Sequence, residues 1–222
     1  MARDTGVMTE SEPVNLWAST QHALDYLNRA DALPRRTEGE GALLEFVPRE
    51  ARRILDIGSG DGRLLSLVRI DRPEAEFVAL DFSPEMLGRL RERFAGDARV
   101  AVVEHNLDEP LGELGRFDAV VSSFCIHHCT HPRKRALYDE IFRILTPGGV
   151  FCNLEHVESP TPALHQEWVK ALGPGFEVED PSNKLLDLGT QLGWLREIGF
   201  VDVDCHWKWR ELALLAGRKS AP

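Results

Sequence analysis

A glycine-rich loop carries the clearest chemical signal in this sequence. Asp56 is followed by Gly58, Gly60 and Gly62, directly after a short apolar run and ahead of a helical stretch. Glycines in such a turn let a ligand approach the main chain closely. About 20 residues further on, a second apolar run ends at Asp81, whose carboxylate can accept hydrogen bonds from ribose hydroxyls. The spacing predicts a site for a cofactor that contains a nucleoside.

The loop departs from the dinucleotide-binding pattern in two ways. That pattern places its third glycine at the position of Arg63. The carboxylate of Asp56 would also repel a pyrophosphate, whereas it would attract a ligand with an ammonium group. An NAD-dependent oxidoreductase is therefore the weaker interpretation, and a glycine loop that serves only as a strand-to-helix turn is the structural alternative.

A cluster of histidines and cysteines follows a later apolar run. The seven residues 125–131 hold five candidate metal ligands: Cys125, His127, His128, Cys129 and His131. Structural zinc sites usually draw on two separated pairs, with two or more residues between the ligands of each pair. The fold also needs a strand end and a helix start at this point. We expect no metal here and treat the histidines as candidates for proton transfer.

Apolar runs and helical stretches alternate along the chain and must position these groups. Buried strands are predicted at 53–57, 77–81, 100–103, 119–122 and 150–154. Helices are predicted at 62–69, 84–94, 133–145 and 188–198, after N-terminal helices that run from about residue 11 to Pro34 and over 38–47. This alternation predicts an α/β fold with a parallel sheet covered on both faces. The final runs, 200–207 and 209–216, lie so close together that they must pair as an antiparallel hairpin.

The composition limits the class of protein. The chain has 222 residues and is 43% hydrophobic, which suits one domain with a substantial core. Its 26 basic and 36 acidic side chains leave a net charge of −10, which disfavours a nucleic-acid partner because phosphate binding needs a basic face. No apolar stretch has the length of a membrane helix, and the 4 cysteines do not look like a disulfide framework. We expect a cytoplasmic protein with reduced thiols.

Four segments together resemble the class I S-adenosylmethionine-dependent methyltransferases: ILDIGSGDGRLLSL, FVALDFSPEML, FDAVVSSFCIHH and LTPGGVF, within roughly residues 38–156. The resemblance implies a Rossmann-like, seven-stranded, mostly parallel sheet with an antiparallel last strand and helices on both faces. It divides the chain into an N-terminal extension and cap helix (1–37) and a methyltransferase domain (38–222). A lid insertion (157–187) would follow the fifth strand.

The resemblance also implies S-adenosylmethionine as cofactor and S-adenosylhomocysteine as product. Asp56 would bind the methionine ammonium directly or through water, and Asp81 would hold the ribose. The predicted cofactor site comprises Asp56, Gly58, Ser59, Gly60, Asp81, Phe82, Met86, Asn106, Leu107 and Ser122. Where the family often has an acidic residue against the adenine amino group, this sequence has Asn106, whose amide oxygen can accept the same bond. Asp108 is the competing assignment.

Methyl transfer is an in-line displacement that needs alignment above all, and a base helps only when the acceptor arrives protonated. His127 is the preferred base and His128 the next, although both could simply pack under the following helix. After the fifth strand, alternation places Glu155 and His156 on opposite faces, so both should not reach the site. The catalytic prediction is therefore His127, His128 and Glu155.

The acceptor site has the least readable sequence. We predict that His156, Trp168 of the lid insertion and Trp17 of the N-terminal extension contact a small-molecule acceptor, although Trp168 could be a core residue. The hairpin around Trp207 and Trp209 could pair in a homodimer or only cover the sheet. Two functional alternatives remain: a carboxymethyl-transferring enzyme of transfer-RNA wobble uridine, and a non-catalytic binder of the cofactor.

Overall fold

The computed structural model of the protein describes residues 16–30, 32–174 and 180–221, and its centre is one seven-stranded sheet. The strands are β1 (Arg53–Ile57), β2 (Glu76–Asp81), β3 (Val100–Glu104), β4 (Phe117–Ser123), β5 (Leu145–His156), β6 (Val201–Trp209) and β7 (Leu212–Arg218). The helices are α1 (Thr20–Ala30), α2 (Arg36–Phe46), α3 (Arg63–Ile70), α4 (Pro84–Arg93), α5 (His131–Ile144), α6 (Pro162–Leu172) and α7 (Leu188–Ile198). Short 3-10 helices lie at Leu16–Ala18 and Ile126–His128.

The strand order β3-β2-β1-β4-β5-β7-β6 confirms the predicted seven-stranded, mostly parallel sheet. β1 pairs in parallel with both β2 and β4. The strands that follow β1 are thus added first on one side of it and later on the other, and the topological switch point lies between β1 and β4. Ligands of open α/β sheets bind at such a switch point, beyond the carboxyl ends of the strands. β7 is antiparallel to β6, as the predicted closing hairpin requires, and also to β5, as predicted for the last strand.

The core lies on both faces of this sheet. Along β1, Leu55 and Ile57 belong to the hydrophobic cluster that packs against α5 and α7, whereas Ile54 belongs to the cluster on the α2 and α3 face. Because side chains alternate along a strand, Asp56 points to the same face as Ile54. A carboxylate is therefore inserted into one of the two apolar layers.

Local chemistry explains the helix ends that were predicted well. Asp187 caps α7 by accepting a hydrogen bond from the Thr190 backbone N–H at 2.8 Å, and Gly199 ends the helix with φ 116°. Such side-chain caps and glycine stops are readable in a sequence. The prediction of 188–198 for this helix is confirmed residue for residue.

The largest difference from the predicted elements is at β5. The strand begins at Leu145 and not at Val150, because Gly148 and Gly149 extend the ladder. Gly148 N–H donates to the Lys219 carbonyl at 2.8 Å, and Lys219 N–H donates to the Gly149 carbonyl at 2.9 Å. The final hairpin is also shifted by a few residues, since its turn lies at Arg210, with φ 52°.

The remaining predictions about the chain ends have mixed outcomes. The predicted first helix falls partly on residues 1–15, which lie outside the described residues; the structure has α1 after the 3-10 helix at Leu16–Ala18. Helix α6 falls within the predicted insertion 157–187, while the division into domains stays a prediction. No helix in the described part of the chain is long and apolar enough to cross a membrane.

Candidate active site

A cavity of about 610 Å³ opens at the carboxyl ends of β1, β2, β3 and β4. Three separate stretches of the chain supply its walls. From the N-terminal part come Leu16, Trp17 and Tyr26; from the central part Gly58, Gly60, Asp81, Phe82, Met86, His105, Asn106, Leu107, Asp108, Ser123, Phe124, Cys125, His128, Cys129, Thr130 and Arg133; and from the last third Pro181, Ser182 and Lys184. Its size is typical of small-molecule sites.

The glycine loop forms the floor of the cavity. Gly58 has φ 67°, and a Cβ atom there would overlap the side chain of Cys125. Gly60 has φ 56°, and its backbone N–H donates to Asp81 Oδ2 at 2.8 Å. Both positions thus need the left-handed conformation that glycine adopts without strain. At these two positions a ligand can approach the main chain closely, because neither residue has a side chain.

Asp81 is held in place by the main chain. Besides Gly60, the backbone N–H of Ser83 donates to Asp81 Oδ1 at 2.9 Å. Burial raises the pKa of Asp81, while these backbone N–H groups act in the opposite direction. Each carboxylate oxygen keeps a lone pair for a further donor. The orientation suits the two hydroxyls of a ribose.

Asp56 is a buried carboxyl without a partner. It is 1% exposed, and neither side-chain oxygen has a hydrogen-bond partner among the described residues. Burial raises its pKa to about 7. Such a group is costly to keep ionised unless a cation approaches it. The residue is not part of the cavity wall, but its chemistry fits the ammonium of the expected cofactor.

The loop after β3 lies at the predicted adenine end. Asn106 Oδ1 accepts the backbone N–H of Asp108 at 3.0 Å, and both residues line the cavity, so the choice between them stays open. The guanidinium of Arg133 donates to the carbonyls of Leu107 at 2.5 Å and Glu109 at 2.9 Å. Arg133 thereby holds this loop against the start of α5.

The two adjacent histidines have different surroundings. His127 is 6% exposed, and its Nδ1 lies 2.6 Å from Glu155 Oε1. His128 lines the cavity, and its Nδ1 lies 2.8 Å from the hydroxyl of Ser182. Burial lowers the pKa of each ring well below its usual value. Both imidazoles are therefore neutral at neutral pH, and His128 is the one placed to meet a ligand.

The polar residues at the end of β5 form a buried support and not a cavity wall. Glu155 also accepts the backbone N–H of His156 at 2.8 Å. The ring of His156 lies 2.8 Å from a carboxylate oxygen of Glu211 and packs against Trp168, with 5.6 Å between ring centroids. Trp168 is 3% exposed. The closing hairpin contacts both rings, because Glu211 lies at its turn beside His156 and Trp209 packs against Trp168 with 5.3 Å between ring centroids.

Seven of the ten predicted cofactor residues line the cavity together: Gly58, Gly60, Asp81, Phe82, Met86, Asn106 and Leu107. Asp56, Ser59 and Ser122 do not. Ser59 and Ser122 instead donate their hydroxyls to the carbonyls of Asp56 at 2.9 Å and Ile57 at 2.8 Å, which braces the loop. Among the predicted catalytic and acceptor residues, His128 and Trp17 line the cavity, whereas His127, Glu155, His156 and Trp168 do not. Within the described residues, no group of three or more His, Cys, Asp or Glu is arranged to hold a metal.

Several polar residues of the cavity wall were not predicted from the sequence, among them Arg133, Ser182 and Lys184. Arg133 starts a helix and looks like an ordinary surface cation there. Ser182 and Lys184 fall in an insertion without periodic pattern. One weak signal was available, because an Asp followed two residues later by Ser, as at Asp180, favours a local side-chain-to-backbone turn.

The last-third wall is fixed to the histidine turn by two lysines. We call residues 180–187 the strap. The backbone N–H of Lys184 donates to the His127 carbonyl at 2.9 Å, and its ammonium donates to the His128 carbonyl at 2.6 Å. Buried Lys134 donates to the carbonyls of Cys129 at 2.8 Å and His127 at 3.3 Å, and also to that of Lys184. Burial lowers the pKa of Lys134 to about 8.

Comparison with known proteins shows that this chain is similar to methyltransferases. A family model described as a methyltransferase domain matches residues 54–149. A demethylmenaquinone methyltransferase from Clavibacter sepedonicus is 33% identical over 173 residues, which cover 71% of this chain and 69% of the relative. A ubiquinone/menaquinone biosynthesis C-methyltransferase from Dinoroseobacter shibae is 36% identical over 132 residues, 57% of this chain and 52% of the relative.

A solved structure shares the fold. The O-methyltransferase family protein from Burkholderia thailandensis superposes with a TM-score of 0.73 at 22% sequence identity, over 92% of this chain and 62% of that chain. The present chain thus spans about six tenths of the solved protein and about half of the second relative.

Proposed function

This chain belongs to the class I S-adenosylmethionine-dependent methyltransferases, and from that premise we propose that it methylates a small hydroxylated aromatic ring with His128 as the base. The single observation that carries the proposal is the position of His128. Its neutral ring lines the same cavity as the glycine loop and Asp81, and it contacts Trp17 from the N-terminal part.

The residues present fit the cofactor, which supplies a methyl group on a positively charged sulfur when it is bound. Gly58 and Gly60 leave room for it, Asp81 presents two oriented oxygens, and the loop after β3 offers its backbone and Asn106 to the adenine edge. Beneath the glycine loop, Asp56 holds a buried carboxyl whose oxygens have no hydrogen-bond partner in the described residues. These groups bind and orient; none of them needs to exchange a proton with the acceptor.

The remaining walls favour a flat, largely apolar acceptor. Trp17 packs edge-on against Tyr26, at 5.1 Å between ring centroids, and against His128, at 5.0 Å. Phe124 completes the aromatic lining. Aromatic side chains bind planar rings through their faces and edges. The two relatives named above are demethylmenaquinone and ubiquinone/menaquinone methyltransferases, which adds support for a quinol-like ring.

His128 would act on a ring hydroxyl. Because burial lowers its pKa, the imidazole is unprotonated at neutral pH and can accept the hydroxyl proton. The O–H electron pair stays on the acceptor and makes its oxygen, and the ring carbons conjugated with it, more nucleophilic. Water takes the proton from the imidazolium afterwards. The proposal leaves open whether oxygen or carbon receives the methyl.

Two thiols in the cavity suggest arsenite as a competing acceptor, but their ionisation disfavours it. Cys125 and Cys129 both line the wall. Burial raises the pKa of Cys125 well above its usual value and that of Cys129 to about 11. Because the thiolate is the more nucleophilic form, thiols with raised pKa values react more slowly at neutral pH.

The test is a panel of acceptors with S-adenosylmethionine, followed by S-adenosylhomocysteine release and mass spectrometry of the product. The panel holds a demethylated naphthoquinol, a catechol, arsenite and unfractionated transfer RNA. We expect turnover with the hydroxylated rings. His128→Ala should lower kcat by about 10²- to 10⁴-fold, the range for loss of a general base. Its affinity for the cofactor, measured by calorimetry, should change less than twofold.

The control is His206→Ala, which removes an exposed histidine of β6 that packs on Phe46. It should keep full activity, and Asp81→Ala should lose cofactor binding and all turnover. Turnover with arsenite or transfer RNA alone, or with no acceptor in the panel, would overturn the acceptor proposal.

A further inference from the structure

Ser182 connects His128 to a carboxylate. Its hydroxyl oxygen lies 2.8 Å from His128 Nδ1 and 2.6 Å from Asp180 Oδ1. The Ser182 backbone N–H also donates to Asp180 Oδ1, at 2.9 Å, and the other carboxylate oxygen lies 3.2 Å from His22 Nε2 of α1. Hydrogen bonds therefore connect Asp180, through the Ser182 hydroxyl, to the histidine that lines the cavity, and His22 of α1 lies beside the carboxylate at the far end.

The proton positions in this line follow from the carboxylate. Burial acts to raise the pKa of Asp180, but the Ser182 hydrogen bonds and the nearby histidines outweigh it and hold the pKa below its usual value. Ionised Asp180 can only accept hydrogen bonds, so the Ser182 hydroxyl must donate its one proton to it. The hydroxyl oxygen then has only lone pairs left for His128. The Nδ1 atom must therefore carry a proton and donate it to Ser182.

The tautomer of His128 is fixed by that bond. A neutral imidazole carries one N–H, so a protonated Nδ1 leaves the lone pair on Nε2. The charged or titratable groups around the ring are His127 of the same turn, Glu155 of β5, Lys184 and Asp180 of the strap, and His22 of α1. The burial that these elements provide keeps the ring neutral.

The strap is itself anchored, so Ser182 is not free to follow a rotating imidazole. Lys184 holds the carbonyls of His127 and His128, and Lys134 holds the Lys184 carbonyl. The strap that carries Ser182 is thus joined to the turn that carries His128 by both lysines. An orientation held in this way is what a general base requires.

We propose that Asp180 and Ser182 are positioning residues that hold His128 as its Nδ1–H tautomer, so that Nε2 accepts the acceptor's proton. The use of Nε2 as proton acceptor rests on the proposed function, whereas the tautomer of His128 does not. In the step itself, the acceptor O–H bond breaks, its electron pair stays on oxygen, and a new N–H bond forms at Nε2. Asp180 then stabilises the imidazolium through the Ser182 hydroxyl.

The experiment measures the tautomer directly. Full-length protein labelled with ¹⁵N at histidine is studied by long-range ¹H–¹⁵N NMR without any acceptor, with His128→Gln to assign the resonance. In the wild type we expect a protonated Nδ1 and an unprotonated Nε2. Ser182→Ala should shift the ring towards the Nε2–H form or a mixture, and Ser182→Thr, which keeps the hydroxyl, should restore the wild-type pattern. Ser159→Ala is the matched control, because Ser159 contacts Glu211 and not His128.

Activity adds a second readout. With an accepted substrate, Ser182→Ala and Asp180→Ala should lower kcat by about 10-fold, as loss of a histidine's hydrogen-bond partner does elsewhere, with KM little changed. A wild-type ring protonated at Nε2, or a pattern that Ser182→Ala does not alter, would overturn the inference. If the tautomer responds as expected but no hydroxylated ring is methylated, the positioning role stands and the proposed function fails.

Discussion

Replacement of Asp56 by asparagine should change the pH dependence of both stability and cofactor binding, and the two effects can be measured separately. The folded-state pKa of about 7 lies well above the ordinary value of 3.8. At 1.36 kcal/mol per pH unit, this difference corresponds to about 4 kcal/mol. Because the folded pKa is the higher one, the folded state binds the proton more tightly. The stability that this group contributes is complete below pH 4 and is lost as the pH rises through about 7.

The first assay is urea unfolding of wild type and Asp56→Asn between pH 4 and 8, without cofactor. Other carboxyls titrate in both proteins, so the difference between the two curves isolates Asp56. We expect the variant to gain stability relative to the wild type as the pH rises, by up to about 4 kcal/mol over this range. The amide keeps the shape of the carboxyl but never ionises.

The second assay is calorimetric titration with S-adenosylmethionine across the same range. An ammonium placed near Asp56 favours the carboxylate, so binding should release a proton below pH 7. Wild-type affinity should then rise by at most about tenfold per pH unit up to pH 7, and the variant should lack this rise. Methylthioadenosine, which has no amino-acid chain, should bind both proteins alike.

Two results would refute this reasoning. Unfolding curves whose difference is flat with pH would show that Asp56 is not a buried acid with a raised pKa. A variant that binds S-adenosylmethionine as the wild type does, while its stability changes as expected, would show that the carboxyl does not meet the ammonium.

Two further predictions concern the cofactor end of the cavity. Gly58→Ala places a Cβ in the space of the Cys125 side chain, at a φ of 67°, so it should lower the free energy of unfolding by at least about 1 kcal/mol and abolish S-adenosylmethionine binding. Urea unfolding measures the first effect and calorimetry the second. A variant that binds with wild-type affinity would show that the site tolerates a Cβ at this position. Arg133→Lys removes the forked donor to the carbonyls of Leu107 and Glu109, so the free energy of cofactor binding should weaken by about 1.5–3 kcal/mol. Unchanged affinity in calorimetry would show that the loop keeps its position without the guanidinium.

The cofactor side of the site was predictable because its signals are local. β1, the glycine loop and Asp81 follow each other within one βαβ unit, where turn geometry and strand ends dictate residue types. The predicted residues of this unit therefore meet at one cavity, apart from Asp56 and Ser59 beneath it. Cytoplasmic location and a homodimer stay predictions, because the contacts within a single chain determine neither.

The acceptor side was not predictable because its contacts join distant segments. From the sequence we preferred His127 to His128 as the base, but the structure buries His127 against Glu155, away from the cavity wall, whereas His128 lines the wall and contacts Ser182. Trp168 is on a helix in an insertion, where core packing and ligand contact leave the same pattern. The contacts of Trp168 with His156 and with Trp209 of the closing hairpin identify it as a core residue.

The division of the cavity wall among three stretches of chain has a consequence for how such an enzyme can change. The glycine loop and Asp81 lie inside residues 54–149, the stretch shared with the family, whereas Trp17, Tyr26 and Ser182 lie outside it. Substitutions in the flanking stretches can therefore reshape the wall that we assign to the acceptor without touching the glycine loop. A new acceptor specificity is thus accessible through single steps, each of which leaves a protein that still binds its methyl donor.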